Sequence, residues 1–158
     1  GGGVKAGKTN AMRLLEKLGI PYEMRQYDTS DGAIDGVSVA HKTGQDPARV
    51  GKTQVTPGAS GTVLVFCIPV EGELDLKRAA RAAGEKSVAM LPLSGITPAT
   101  GYVRGGVSPL GMKKQYPTFL DASALAHVVI LVSGGRVGLQ IELTPQDLLR
   151  AAEGQVME

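Results

Sequence analysis

A chain of 158 residues that is 42% hydrophobic and 20% charged fits one globular domain with a real core. Two Phe, four Tyr and no Trp make that core aliphatic, the 22 glycines argue against a helical bundle, and no apolar run reaches the ~20 residues of a membrane helix. The net charge of +2 is unevenly spread: residues 77–136 hold eight Lys or Arg against Glu85 and Asp121, whereas the remainder holds nine against thirteen acidic residues. A basic region facing an acidic remainder is the footprint of a phosphate-binding surface, and a scattered, solvated surface is the plainer reading.

Residues 1–8 read as a flexible N-terminus or a cloning remnant, and 9–158 as a single domain. No charged-then-apolar leader opens the sequence, which predicts a cytoplasmic protein. Thr9 caps a helix over Asn10–Leu18 with Ala11, Leu14, Leu15 and Leu18 on its buried face and Gly19 as its stop. Tyr22–Tyr27 reads as a strand, Asp28–Asp35 as a polar loop, and Val37–Thr43 as a short helix ended by Gly44. Val50–Val55 predicts a strand carrying Lys52, and the continuous apolar run Thr62–Pro69 predicts a buried one.

Asp75 opens a helix over Leu76–Ala83, stopped by Gly84, with Lys77, Arg78 and Arg81 on one face. Ser87–Leu91 has the makings of a short strand, while Gly95 and Pro98 break up Leu93–Ala99. Thr118–Asp121 follows as a strand. His127–Ser133 and Arg136–Leu143 read as a hairpin turning at Gly134-Gly135. Thr144 and Pro145 start a last helix to Ala152, with Gly154 beyond its end. Strands outnumber helices, so the expected fold is mixed α/β (α+β): a curved, mostly antiparallel, barrel-like sheet flanked by helices.

Between these elements, Thr100–Lys114 holds four glycines and a proline, with Tyr102 at one end and Lys113 and Lys114 at the other. Glycine admits close backbone approach, and successive N–H groups in such a turn converge on an anion or carbonyl oxygen. An ordinary surface loop and a loop that holds a ligand both fit this composition. Lys52 likewise reads two ways: a solvated outer-face lysine, or an ammonium aimed into a pocket to hold a phosphate or polarise an ester.

Other motifs fall away. Gly2–Thr9 spells G-x-x-x-x-G-K-T, but a phosphate loop needs a buried strand ahead of it, and with the motif at the very start of the sequence a nucleotide site is not expected there; the second Gly-Lys-Thr, at 51–53, has Asp46 in place of the first glycine. His41 and His127 have no partners at ligand spacing, so neither a metal nor another cofactor is expected. Cys67 sits in an apolar run and reads as a buried, inert thiol. No G-x-S-x-G elbow occurs, and Ser108 and Ser133 have no base beside them, so no protein nucleophile announces itself.

Four separated blocks then stand in one order: Val50-Gly51-Lys52-Thr53, Gly72-x-Leu74-Asp75-Leu76-Lys77, Thr100–Lys114, and Val132-Ser133-Gly134-Gly135-Arg136-x-Gly138-Leu139-x-Ile141-Glu142-Leu143. Together they resemble the YbaK/EbsC family of aminoacyl-tRNA deacylases, relatives of the editing domain of bacterial prolyl-tRNA synthetase, over about residues 9–152. The resemblance implies that family's mixed barrel-like fold and the clearing of mischarged tRNA, in particular cysteine from tRNA(Pro), with prolyl-tRNA synthetase as a partner. It implies substrate-assisted chemistry, in which the cysteinyl thiol attacks its own ester and leaves as a thiolactone.

By the same resemblance Lys52 binds the terminal adenosine and ester, Gly105 and Gly106 offer backbone groups to the reacting end, and Tyr27, Tyr102 and Ser133 line the pocket. Charge alone adds Lys77, Arg78, Arg81, Lys113 and Lys114 as phosphate contacts. The sequence departs from the family pattern at Gly51, which replaces an aromatic and is expected to reshape the pocket wall, and at Gln54 and Val137. It departs again at Gln140, where cysteine-specific members can carry an aspartate. Two alternatives accompany this reading: an alanine-specific deacylase that uses water, and a non-catalytic tRNA-binding module.

Overall fold

The structure, a computed structural model, describes residues 7–158. The Gly2–Ala6 part of the phosphate-loop motif and most of the expected flexible N-terminus lie outside the described residues. In chain order these form α1 (Asn10–Leu18), β1 (Glu23–Gln26), α2 (Gly36–Lys42), β2 (Gly51–Pro57), β3 (Val63–Pro69), α3 (Leu76–Ala83), α4 (Ile96–Thr100), β4 (Thr118–Asp121), β5 (Ile130–Ser133), β6 (Leu139–Leu143), α5 (Pro145–Ala152) and β7 (Gln155–Met157).

Local chemistry sets the helix ends. The Thr9 hydroxyl accepts from the Met12 N–H, the Asp75 carboxylate from Lys77 and Arg78, and the Thr144 hydroxyl from Asp147. Each satisfies N–H groups that a helix start leaves without partners. Gly19 and Gly84 close α1 and α3 in the left-handed conformation, as expected. In α5 that position falls on Glu153, at φ 49°, one residue before the expected glycine. Gly154 serves close approach instead: a Cβ there would stand 3.1 Å from the Thr118 carbonyl oxygen. The buried face of α1 is Ala11, Met12 and Leu15, with Leu14 and Leu18 at its margin.

The strands make two sheets. One has the order β1-β6-β5 and is antiparallel throughout. The other has the order β2-β3-β4-β7, with β2–β3 antiparallel and the remaining pairs parallel. Among the described residues a parallel bridge, Val50–Leu131, joins the sheets. Among the described residues the outer strands β1 and β7 do not pair, so the mixed fold is present as two linked sheets. The parallel β3–β4 pair forces a long crossover, and that crossover carries α3, α4 and the glycine-rich 101–111 segment.

The main core lies between α1, α5 and the inner faces of both sheets, with Leu15, Cys67, Leu110, Leu120, Val132, Ile141 and Leu148 at its centre. A second cluster packs Ala79 and Ala80 of α3 onto Leu64, Phe66, Ile68 and Phe119, the two phenylalanine rings stacked at 5.1 Å. A third joins Ala40 of α2 to Val50, Val70 and Leu131.

The expected hairpin differs in its turn. β5 stops at Ser133 and β6 starts at Leu139, so five residues, 134–138, connect them rather than Gly134-Gly135 alone. Ser87–Leu91 forms no strand, only the Gly58–Val88 bridge.

Candidate active site

Where the sheets meet, the parallel Val50–Leu131 bridge sets the register between β2 and β5. Extending that register by two residues sets Lys52 level with Ser133, on the side of the strands that carries Val50 and Leu131. Pairing of β5 with β6 places Ser133 opposite Gln140, and pairing of β6 with β1 places Gln140 opposite Arg25. Tyr27 follows, its N–H donating to the Gly138 carbonyl at 3.0 Å. Paired positions share a face and neighbouring positions alternate. Lys52, Ser133, Gln140, Arg25 and Tyr27 therefore occupy one face, while Val132, Leu139 and Ile141 enter the main core on the other.

Beside the buried Val50, Leu131 and Ile68, that face carries polar groups that are incompletely satisfied among the described residues. Lys52 is half-buried and has no hydrogen-bond or ion-pair partner among the described residues. Gln140 is 5% exposed, and its buried side-chain oxygen accepts no hydrogen bond among the described residues. Leaving such an acceptor unpaired costs about 1–3 kcal/mol, a penalty that a bound donor removes. The Ser133 hydroxyl oxygen accepts from the Gly135 N–H at 3.1 Å. Further out, Arg25 and Arg49 both pair with Glu142, and a groove of about 380 Å³ runs past Arg25, Gln26 and Tyr27 to Lys42, Thr43 and Gln45.

The glycine-rich segment lies directly against the 134–138 turn. A Cβ on Gly106 would stand 2.9 Å from the Val137 nitrogen, so only glycine allows backbone to meet backbone here. The Gly106 N–H, expected to face the substrate, instead donates to the Val103 carbonyl at 2.9 Å; the Gly105 N–H has no partner among the described residues. Above Gly105 sits Ile34, whose Cδ1 would be 2.9 Å from an added Cβ. Sequence reasoning passed over Ile34. The signal was a lone large apolar residue in the polar Asp28–Asp35 stretch, which Lys42 ties down through the Asp31 carboxylate and the Asp28 and Ala33 carbonyls.

Several expected roles change. Tyr102 does not offer an open face: it is 5% exposed, its hydroxyl donates to the Leu110 carbonyl at 2.6 Å, and its ring lies against Gly135. Burial pushes its phenol up to about 12. Arg78 is not free for phosphate either. Its guanidinium binds the Asp121 carboxylate at 2.7 Å and the Met157 and Glu158 carbonyls at 2.9 Å. Burial pushes the Asp121 carboxyl up, but the Ser123 hydroxyl and Arg78 outweigh it and hold that group below its usual range.

Lys77, Arg81 and Lys114 remain exposed. Lys113 is exposed too, although its stem crosses Gly101 and its ammonium reaches the Pro98 carbonyl at 3.3 Å. Gly51 faces the core and not the Lys52 side. A Cβ there would rest 3.5 Å from Val132 Cγ1, so this departure leaves the polar face unchanged. With Cys67 it borders a core cavity of about 20 Å³, room for one water. Burial pushes the Cys67 thiol up to about 12, and the Thr53 hydroxyl only partly offsets it. Among the described residues no group of three or more His, Cys, Asp or Glu is placed to hold a metal ion.

An uncompensated cation beside a hydroxyl and an unpaired amide, under a glycine loop, suits an anionic substrate carrying a polar ester, and comparison with known proteins identifies the class as aminoacyl-tRNA deacylases. Residues 34–151 match the aminoacyl-tRNA editing domain, and the chain belongs to that family. It is 44% identical over 151 residues to a protein of Enterococcus faecalis named "Putative Cys-tRNA(Pro)/Cys-tRNA(Cys) deacylase EbsC", covering 96% of this chain and 92% of that protein.

Two solved structures share the fold. One, described as a "putative trans-editing enzyme for prolyl tRNA synthetase", superposes with a TM-score of 0.82 at 24% identity over 96% of both chains. The other, a hypothetical protein, superposes with a TM-score of 0.85 at 20% identity over 93% of this chain and 96% of that one. The protein is thus an editing deacylase whose substrate is mischarged tRNA. No helix among the described residues is long and apolar enough to cross a membrane.

Proposed function

We propose that residues 9–158 act as a single trans-editing domain that removes cysteine from tRNA(Pro), the error made by a prolyl-tRNA synthetase whose pocket rejects a side chain of similar bulk only weakly. That synthetase is the expected partner, and the cytoplasm the expected compartment. The observation that carries the reading is the unpaired Lys52 ammonium in step with Ser133 and Gln140, with the chain's own thiol turned to the opposite face. The name of the Enterococcus faecalis relative supports the cysteine substrate.

The substrate supplies the nucleophile. Its sulfur attacks its own ester carbonyl, a C–S bond forms, the bond to the ribose oxygen breaks, and the thiol proton ends on the released ribose hydroxyl. Such intramolecular attack reaches effective molarities of ~10⁵ M or more when oriented. Lys52 holds the terminal nucleotide and ester, Ser133 and the Gly105 N–H face the developing oxyanion, and Gln140 accepts from the substrate amino group. Tyr27 and the groove beside it take the adjoining nucleotide, and Lys77, Arg81, Lys113 and Lys114 meet phosphates.

Gln140 favours a second reading. A neutral amide there gives an ammonium less than a carboxylate would, which suits an alanine-specific enzyme using water. Incubation with cysteinyl- and alanyl-tRNA(Pro), with mass spectrometry of the released product, separates the two. Release of a cysteine thiolactone with alanyl-tRNA untouched is expected. Alanine release alone installs the second reading, and release of neither ends both.

A further inference from the structure

We propose that Thr9 is a positioning residue of the deacylation site, acting through the 133–136 turn. A helix-capping hydroxyl ordinarily needs only to accept, and Thr9 does accept from the Met12 N–H at 3.2 Å. Its proton goes elsewhere, to the carbonyl oxygen of Gly134, 125 residues away in the chain, at 2.6 Å. The side chain is 8% exposed, so water does not compete for that bond.

The contact falls where the turn leaves the polar face. Gly134 follows Ser133 directly, and its N–H is already held by the Leu139 carbonyl at 2.9 Å. Thr9 fixes the other side of the same residue. Gly135, at φ 97°, then returns its N–H to the Ser133 hydroxyl, and an added Cβ there would strike Tyr102 at 2.9 Å and Thr9 at 3.1 Å. Arg136 reaches back to the Gly7 carbonyl at 3.1 Å, and Gly111 packs on the Asn10 backbone. The start of α1 therefore clasps both loops that border Lys52 and Gly105, although it lies outside the 34–151 span matched to the family. Loss of the Thr9 donor frees the Gly134 carbonyl to rotate, and the Ser133 hydroxyl, tied to Gly135, moves with it.

The inference rests on the deacylase reading, and the wild-type protein in the same assay keeps the two apart. If the wild type releases no amino acid, that reading has failed and the variants are not at issue. With wild-type turnover in hand, Thr9→Asp keeps the cap acceptor but has no proton to give, Thr9→Val loses both, and Thr9→Ser keeps both. The expected result is a fall in kcat of about tenfold or more in Thr9→Asp and Thr9→Val, KM for the aminoacyl-tRNA within about twofold, and recovery of most of kcat in Thr9→Ser. Melting midpoints on the same samples separate folding from positioning. Wild-type kcat in either folded donor-less variant, or a loss in KM with kcat unchanged, overturns the proposal. If Thr9→Asp does not fold, Thr9→Val against Thr9→Ser decides alone.

Discussion

The two faces of the sheet where β2, β5 and β6 meet are built from alternate residues of the same strands, yet they differ in where their polar groups lie. One holds Lys52, Ser133 and Gln140, with an amide oxygen and an ammonium left without partners among the described residues; the other holds Cys67, Val132 and Ile141 in a packed interior. A one-residue slip in register would exchange them. The proposed chemistry and the main core therefore sit a single peptide unit apart, although Val50, Leu131 and Ile68 also bury apolar side chains on the Lys52 face.

Lys52→Ala puts that separation to its hardest test. It should lower kcat/KM for the aminoacyl-tRNA about 100- to 1,000-fold, the range for losing one charge-stabilising group, while the urea midpoint stays near wild type because no internal bond is broken. A destabilised Lys52→Ala protein with normal turnover would break the comparison. Ile141→Ala is the mirror experiment. It should cost about 2–5 kcal/mol of unfolding free energy, with kcat of the folded fraction unchanged.

The basic surface divides in the same manner. Arg78→Ala should cost about 2 kcal/mol, since it takes the guanidinium from the Asp121 carboxylate, which keeps only Ser123, and from the Met157 and Glu158 main-chain oxygens. The doubly substituted Lys77→Ala, Arg81→Ala protein should melt normally and bind tRNA with a shallower salt dependence, read by filter binding at several ionic strengths. Equal behaviour of the two proteins would erase the distinction.

The smallest effect belongs to Cys67. Its folded pKa of about 12 lies above its ordinary value of 9, so the unfolded chain gives up the thiol proton first. Stability from this group is complete below pH 9 and drains away as pH rises from there toward 12. At pH 10 the loss is about 1 kcal/mol. Cys67→Ser should flatten that part of the alkaline unfolding profile and leave deacylation at neutral pH intact; a dead but folded Cys67→Ser protein would point to a protein nucleophile.

What could be read in advance was what local chemistry decides. The residue ranges of α3, β4 and α5 follow from Asp75 and Gly84, from Pro117, and from Thr144 with Pro145, all within a few residues of the ends they set. The length of the 134–138 turn was not legible, because its path is decided by Tyr102 and Thr9, which arrive from elsewhere in the chain. β7 exists only through its parallel pairing with β4. In the site, the lysine and the glycine loop were visible as composition. That Gly106 spends its N–H on Val103, that Tyr102 is a strut, and that Arg78 is taken while Lys77 and Arg81 are not, each depends on partners no window of sequence contains.

The Val50–Leu131 bridge carries a consequence for how the enzyme comes into being. It zips together strands from opposite halves of the polypeptide, and contacts of such long sequence separation form late because their loop entropy must be met first. A nascent or nicked chain that lacks β5 and β6 keeps its lysine but has no serine, amide or turn to set beside it. On the proposed assignment of the site, a chain without β5 and β6 would therefore be expected to lack deacylase activity.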